Sequence, residues 1–231
     1  MWTCATAPET RPTGLHIKFA FAMLRRQMTT DARLTAPATA RNRDHIAKVL
    51  GRYLPSHGLV LEVASGTGEH VTHFANTLNA ALEFQPSDPD ARARASIDAW
   101  VEASGVRNVL PAMALDASAD PWPIQRADAV ICINMIHIAP WEAAIGLMRG
   151  AARLLPAGAP LYLYGAYRRD GRHTAPSNEA FDRGLRLQNP KWGVRDLDAV
   201  AELAGAQGFG EPIIEEMPAN NLSLVFRRGG D

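Results

Sequence analysis

One stretch constrains the fold of this chain more than any other. A six-residue apolar run, Gly58-Leu-Val-Leu-Glu-Val63, leads straight into the turn Ala64-Ser-Gly66-Thr-Gly68. The run is short and bounded by glycine, which reads as a buried strand. Beyond the turn, Val71, Phe74, Ala75 and Leu78 recur at helical spacing. A buried strand that passes through a tight turn into an amphipathic helix is the opening unit of a parallel α/β sheet.

The rest of the chain repeats the alternation. Asn42 to Leu54 has helical period, with Asn42 as the expected N-cap and Pro55 as the stop. Strands are expected at Ala81–Phe84, Asn108–Leu115, Ala127–Ile133 and Pro160–Tyr164. Helices are expected at Asp90–Ser104, stopped by Gly105, and at Pro140–Leu155. Two more follow at Ser177–Gln188 and Asp196–Gln207, with Ser177 and Asp196 as N-caps. The strands Pro212–Glu216 and Leu222–Phe226, joined by the tight turn Met217–Asn221, close the chain as an antiparallel hairpin. The pattern predicts a doubly wound, mostly parallel, seven-stranded sheet of Rossmann-like form. Ligands of such a sheet bind outside the carboxyl ends of its strands.

Composition excludes several classes. With 231 residues, 47% of them hydrophobic and 21% charged, the chain can bury a core without staples. Residues 38–231 are expected to form one domain and residues 1–37 a poorly ordered extension. The extension is basic, so a transit peptide is one reading. Another, preferred here, is that Met28 is the natural start. The Leu15–Leu24 stretch is too short for a membrane span, and His16 and Lys18 interrupt it. Lys+Arg and Asp+Glu both number 24, which disfavours general binding to nucleic acids or anionic membranes. Cys4 and Cys132 suggest neither a disulfide framework nor a metal cluster, and a reducing, cytoplasmic setting fits them. No feature of the sequence reports oligomeric state.

The chemistry should lie at the strand ends. Gly66 and Gly68 allow backbone N–H groups to approach a ligand at a helix N-terminus, although a tight turn and close packing would also need them. Asp88 stands 20 residues past Gly68, where a carboxylate can accept from both hydroxyls of a ribose. A nucleoside-bearing cofactor is therefore expected. A dinucleotide fingerprint wants a third glycine where Val71 stands, and Glu62 would face a pyrophosphate with negative charge. A phosphate-free ligand with an ammonium group suits Glu62 better, and S-adenosyl-L-methionine is such a ligand.

The run Glu62-Val-Ala-Ser-Gly66-Thr-Gly68 resembles motif I of class I S-adenosylmethionine-dependent methyltransferases. Further strings sharpen the resemblance: Gln85-Pro-Ser-Asp88, Asn134-Met-Ile-His-Ile-Ala-Pro-Trp141, Tyr164-Gly-Ala-Tyr167, Ser177-Asn178, Phe181-Asp182, Trp192-Gly-Val-Arg-Asp196 and Met217-Pro-Ala-Asn-Asn221. Together they look like the methyltransferase-like 26 group, long called domain of unknown function 938, over about Ala38 to Arg228. The resemblance implies that Glu62 meets the methionine amino group and that the backbone at Ala64, Gly66 and Gly68 follows the methionine and ribose. It implies that Asp88 holds the ribose hydroxyls, that Asp116 and Ala117 meet the adenine, and that Asn134 floors the methyl-transfer site. Ala64 replaces the first glycine of the commonest pattern, which costs little where φ is negative.

Methyl transfer from a sulfonium is an in-line displacement, so alignment and exclusion of water dominate. His137 is a candidate base, with a packed structural role as the alternative. From Tyr164 to Arg195 there are seven Arg and Lys residues against three acids. That segment, with Tyr164, Tyr167, Asn178, Trp192 and Arg195, is the candidate lid and substrate-binding surface. Its charge makes an anionic small molecule a candidate acceptor. No compact aromatic-basic platform for RNA is present. The leading expectation is a small-molecule methyltransferase. A cofactor-binding module without turnover and a nicotinamide-dependent oxidoreductase are the alternatives.

Overall fold

A parallel sheet must have both faces covered, because its crossovers lay helices on each side. A computed structural model describes residues 32–230. The expectations for the extension up to Asp31, including Leu15–Leu24 and the Met28 start, lie outside the described residues. The elements run α1 (Pro37–Tyr53), β1 (Gly58–Val63), α2 (Glu69–Thr77), β2 (Leu82–Ser87), α3 (Ala91–Ser104), β3 (Ala129–Ile133), α4 (Trp141–Leu154) and β4 (Pro160–Gly165). They continue with β5 (Tyr167–Arg169), β6 (Arg172–His173), α5 (Pro176–Gln188), β7 (Arg195–Asp196), α6 (Leu197–Gly205), β8 (Ile213–Met217) and β9 (Asn221–Arg227).

The main sheet has the order β2-β1-β3-β4-β9-β8. Neighbours from β2 through β4 pair in parallel, and β9 pairs antiparallel to both β4 and β8. Alternate residues of each strand feed opposite cores. Leu61, Val63, Val130 and Leu161 pack with Leu147 and Met148 of α4 and Val200 of α6. Val60, Phe84, Ile131 and Tyr162 pack with Ile46 and Leu50 of α1, Val71 and Phe74 of α2 and Ile97 of α3.

Six strands form this sheet, not the expected seven. The Asn108–Leu115 segment follows the outer edge of β2 but makes only two isolated parallel bridges, Phe84 to Val109 and Ser87 to Met113. Pro86 lacks the N–H that would face this segment between those of Phe84 and Asp88, and the two bridges are three residues apart on β2 but four apart on the segment, so the register is bulged.

Two other local expectations change, and one element was not foreseen. Helix α1 starts at Pro37 rather than Asn42, so Asn42 sits within the helix and caps nothing. Ahead of it, Leu34 N–H donates to Ser96 Oγ at 2.7 Å and Ala36 N–H to Glu69 Oε2 at 2.7 Å, which ties residues before Ala38 to α2 and α3. Helix α5 starts at Pro176 with Ala175 as its N-cap, so Ser177 lies inside it. The strands β5, β6 and β7 form a second small sheet, too short to leave a period in the sequence. Other punctuation behaves as read: Asp90 and Asp196 cap α3 and α6, and Gly105 ends α3 at φ 70°.

Helix α4 packs through glycines. A β-carbon at Gly150 would overlap the ring of the buried Trp122. Gly184, in α5, has nothing within 4 Å of that position. Gly184→Ala should stabilise the protein by about 0.5–1 kcal/mol through helix propensity. Gly150→Ala should lower the urea midpoint, because overpacking costs about 1–3 kcal/mol. Equal shifts in the two variants would contradict this packing.

Candidate functional site

The carboxyl ends of β1, β2 and β3 open onto a cleft of about 680 Å³, ample for a small molecule or cofactor. Its walls are Val63 and Ala64 at the end of β1, Pro89 after β2, and Leu115 to Ser118 from the end of the outer segment. Met135 and Ile138 to Pro140 follow β3, Glu142 and Ala143 open α4, and Asn189, Lys191 and Trp192 complete the lining.

The turn between β1 and α2 reaches the cleft through Ala64, while Glu62, Gly66, Gly68, Asp88 and Asn134 are not among its lining residues. Gly66 and Gly68 have φ of 59° and 92°, and a β-carbon at Gly68 would strike the backbone of Ile97. Ala64 is also left-handed, at φ 58°. The expectation of a negative φ there is corrected, and the β-carbon carries a cost of about 1–2 kcal/mol. The turn is sewn to the end of β2. Ser65 N–H donates to Ser87 O at 2.8 Å, and Ser87 N–H donates to Ser65 Oγ at 3.1 Å. Asp88 Oδ2 accepts from Gly66 N–H at 3.0 Å and Asp88 Oδ1 from Asp90 N–H at 2.9 Å. Asp88 therefore shapes the turn as well as presenting a carboxylate.

Glu62 lies beneath this turn and is 1% exposed. Its Oε2 has no hydrogen-bond partner, and burial pushes its pKa up to about 8. A buried carboxyl with an orphaned oxygen suits a cation that arrives with a ligand. Asp116 and Ala117 line the cleft, and Asp116 Oδ1 accepts from the N–H and hydroxyl of Ser118. Asn134 ends β3 at φ 61°, a conformation asparagine tolerates, and its N–H donates to Tyr164 O at 2.8 Å.

Other expected residues are arranged differently. His137 is 0% exposed, with its ring edge-on to Tyr167 at 5.1 Å. Its Nδ1 accepts from Arg195 N–H at 3.4 Å, and its Nε2 lies where a β-carbon on residue 165 would fall. Burial holds its pKa down to about 3. The packed role is the one this setting supports, because His137 is not on the cleft surface. Tyr167 is a core residue at 0% exposure, with burial raising its pKa. Asn178 is a tie: its Nδ2 donates to Thr174 Oγ1 and to Asn220 O, pinning α5 to the turn between β8 and β9.

Arg195 does not reach for a substrate. Its Nε donates to Ile136 O at 2.8 Å, and its Nη2 donates to Ala139 O at 2.8 Å and Lys191 O at 2.9 Å. Arg169 pairs with Glu216 and Arg186 with Asp182. Three of the seven cations in this segment, Arg169, Arg186 and Arg195, are thus engaged by groups of the protein itself. The charged residues lining the cleft are Asp116, Glu142 and Lys191.

No place in the site was expected for Asn42, His70 or Asn221. The Tyr164 hydroxyl hydrogen-bonds the side chains of Asn42 and Asn221, and Asn42 Oδ1 lies 2.9 Å from His70 Nε2. This chain of neutral polar groups joins α1, α2, β4 and β9. Its sequence signal was a low-propensity Asn inside a helical stretch. Among the described residues, no group of three or more His, Cys, Asp or Glu could hold a metal ion, and no helix is long and apolar enough to cross a membrane.

A family model described as protein of unknown function (DUF938) matches residues 33–228. The chain belongs to that family. Its fold is that of α/β methyltransferases. An O-methyltransferase family protein from Burkholderia thailandensis superposes with a TM-score of 0.70 at 16% identity, over 84% of this chain and 58% of that one. CalO1, a methyltransferase in calicheamicin biosynthesis in its SAH-bound form, gives 0.68 at 16%, over 83% and 54%. The S-adenosylmethionine-dependent methyltransferase SibL in its apo form gives 0.69 at 17%, over 96% and 64%. This DUF938 chain thus spans between 54% and 64% of those proteins.

Two buried histidines should make this protein acid-sensitive. Burial lowers the pKa of His137 to about 3 and that of His70 to about 4. The unfolded chain binds these protons near pH 6.5 and the native state does not, so stability falls as pH drops from about 6.5 toward 4. The slope is about 1.4 kcal/mol per pH unit for each histidine. Urea unfolding across that range should show a flatter dependence in His137→Gln; an unchanged slope would mean that His137 protonates freely in the native state.

Proposed function

We propose that this chain binds S-adenosyl-L-methionine and transfers its methyl group to a small molecule, as expected for the methyltransferase-like 26 grouping. The observation that carries the reading is Glu62: a buried carboxyl with an unpartnered oxygen, beneath a glycine turn and beside an open cleft. The ligand's ammonium is the cation Glu62 lacks. Asp88 keeps lone pairs for ribose hydroxyls on both oxygens, and Asp116 with Ala117 would meet the adenine. Bound S-adenosylmethionine supplies an electrophilic methyl on a sulfonium.

The acceptor would approach from the side of Asn134 and Tyr164, where Asn42, His70 and Asn221 offer neutral hydrogen-bonding groups. With Arg195 engaged by carbonyls, a neutral polar acceptor suits these groups better than an anion. With His137 packed away, the residues on hand supply alignment more than proton removal, and alignment is a large share of such catalysis.

Glu62 makes binding proton-linked. Below pH 8 it is largely neutral and must ionise to pair with the ammonium, so binding at pH 7 should release close to one proton. Affinity should rise with pH and level off near 8. Calorimetry in two buffers of different ionisation enthalpy reads this directly, and Glu62→Gln should weaken binding and abolish the buffer dependence. Asp88→Asn, which keeps an acceptor for the turn, should weaken binding by about 1.5–3 kcal/mol, the scale of hydrogen bonds to a charged group. A folded wild-type protein that binds neither S-adenosylmethionine nor S-adenosylhomocysteine would refute the reading. Release of S-adenosylhomocysteine during incubation with metabolite extracts separates turnover from binding alone.

A further inference from the structure

The seven residues from Asn189 to Arg195 form little regular structure, yet they are held from end to end. Trp192 N–H donates to Asn189 O at 2.9 Å, and Gly193 N–H donates to His137 O at 2.9 Å. Val194 N–H donates to Asp182 Oδ1 at 2.7 Å. Gly193 has φ 152°, and a β-carbon there would crowd Asp182 and Arg186. Arg195 then ties three backbone carbonyls, those of Ile136, Ala139 and Lys191, while its guanidinium lies 5.4 Å from the ring centre of Trp141. One arginine thus joins the turn after β3 to the segment that crosses above it. A rigid planar fork can hold three carbonyls in this way; a lysine cannot.

The anchored segment carries Lys191 and Trp192 into the cleft lining. They share that lining with Leu115, Asp116, Ala117 and Pro89, the residue after Asp88. Tyr164, Asn42 and Asn221 are not part of it. Among the described residues, Trp192 is the only aromatic one lining the cleft. Asp116 and Ala117 are the residues that the cofactor reading gives to the adenine, so Trp192 shares a wall with the purine end.

We propose that Asn189–Arg195 is a preset roof over the purine end of the cleft, in which Trp192 stacks on an adenine ring and Arg195 is a positioning residue that fixes the indole in place. The proposal rests on the cofactor reading above, through the adenosine part alone. It replaces the expectation that Trp192 and Arg195 contact the methyl acceptor.

The test uses the full chain and two ligands, S-adenosylhomocysteine and 5′-methylthioadenosine, which lacks the amino acid group. Trp192→Ala should raise the Kd of both by about tenfold or more, the scale of base–aromatic stacking, and Trp192→Phe should recover most of the loss. Arg195→Lys should raise the Kd of methylthioadenosine severalfold in the wild-type background and have no further effect in Trp192→Ala, because it acts through the indole. Wild-type tryptophan emission should change when methylthioadenosine binds, and that change should vanish in Trp192→Phe, a readout that survives even if Trp192→Ala does not fold. A Kd within twofold of wild type in folded Trp192→Ala, the same emission change in Trp192→Phe, or an Arg195→Lys effect of equal size in both backgrounds overturns the roof. If the wild type binds both ligands and only these variant effects fail, the cofactor reading stands; if the wild type binds neither, both fall.

Discussion

The turn between β1 and α2 can lie open to a ligand because it is tied sideways to the end of β2. The Asp88 carboxylate takes the Gly66 N–H, and Ser65 and Ser87 exchange hydrogen bonds between the two strand ends. Without those ties, a turn with three left-handed residues in five would have many conformations to choose from. With them it holds one shape, and Glu62 stays sealed beneath it. The strained Ala64 is tolerated because its neighbours over-determine it.

A second theme is the use of charge and polarity as internal carpentry. Arg195 binds carbonyls, Asp182 accepts from a backbone N–H as well as from Arg186, and Glu69 accepts from Ala36 N–H. Each ties a segment without regular structure to a helix or strand, where unsatisfied backbone groups would otherwise be costly. The basic stretch from Tyr164 to Arg195 is a clear case. As a string it looks like an anion trap, and in the fold Arg169, Arg186 and Arg195 serve to hold the chain.

How much was legible follows from the range of the forces involved. The strands β1, β3 and β4, the caps Asp90 and Asp196, and the closing hairpin were readable because period, capping and turn chemistry act over a few residues. The glycine turn and Asp88 were readable because their spacing is local to one strand–turn–helix–strand unit. The outer strand was misread because apolar character said nothing about the missing N–H of Pro86 or the bulged register beside it. Asn42 was misread as a cap because Pro37 and the ties of Leu34 and Ala36 extend the helix backward.

The sequence by itself determined the α/β architecture and the position of the cleft at the strand ends, since both follow from periodicity and short-range spacing. Tertiary structure alone decided which of the polar residues face that cleft. His137 and Arg195 are 58 residues apart, yet the Arg195 N–H meets the His137 ring and the Arg195 side chain spans the turn in which His137 lies. Whether a histidine is a base or a buried brace, and whether an arginine grips a ligand or its own backbone, depends on partners that the linear order does not reveal.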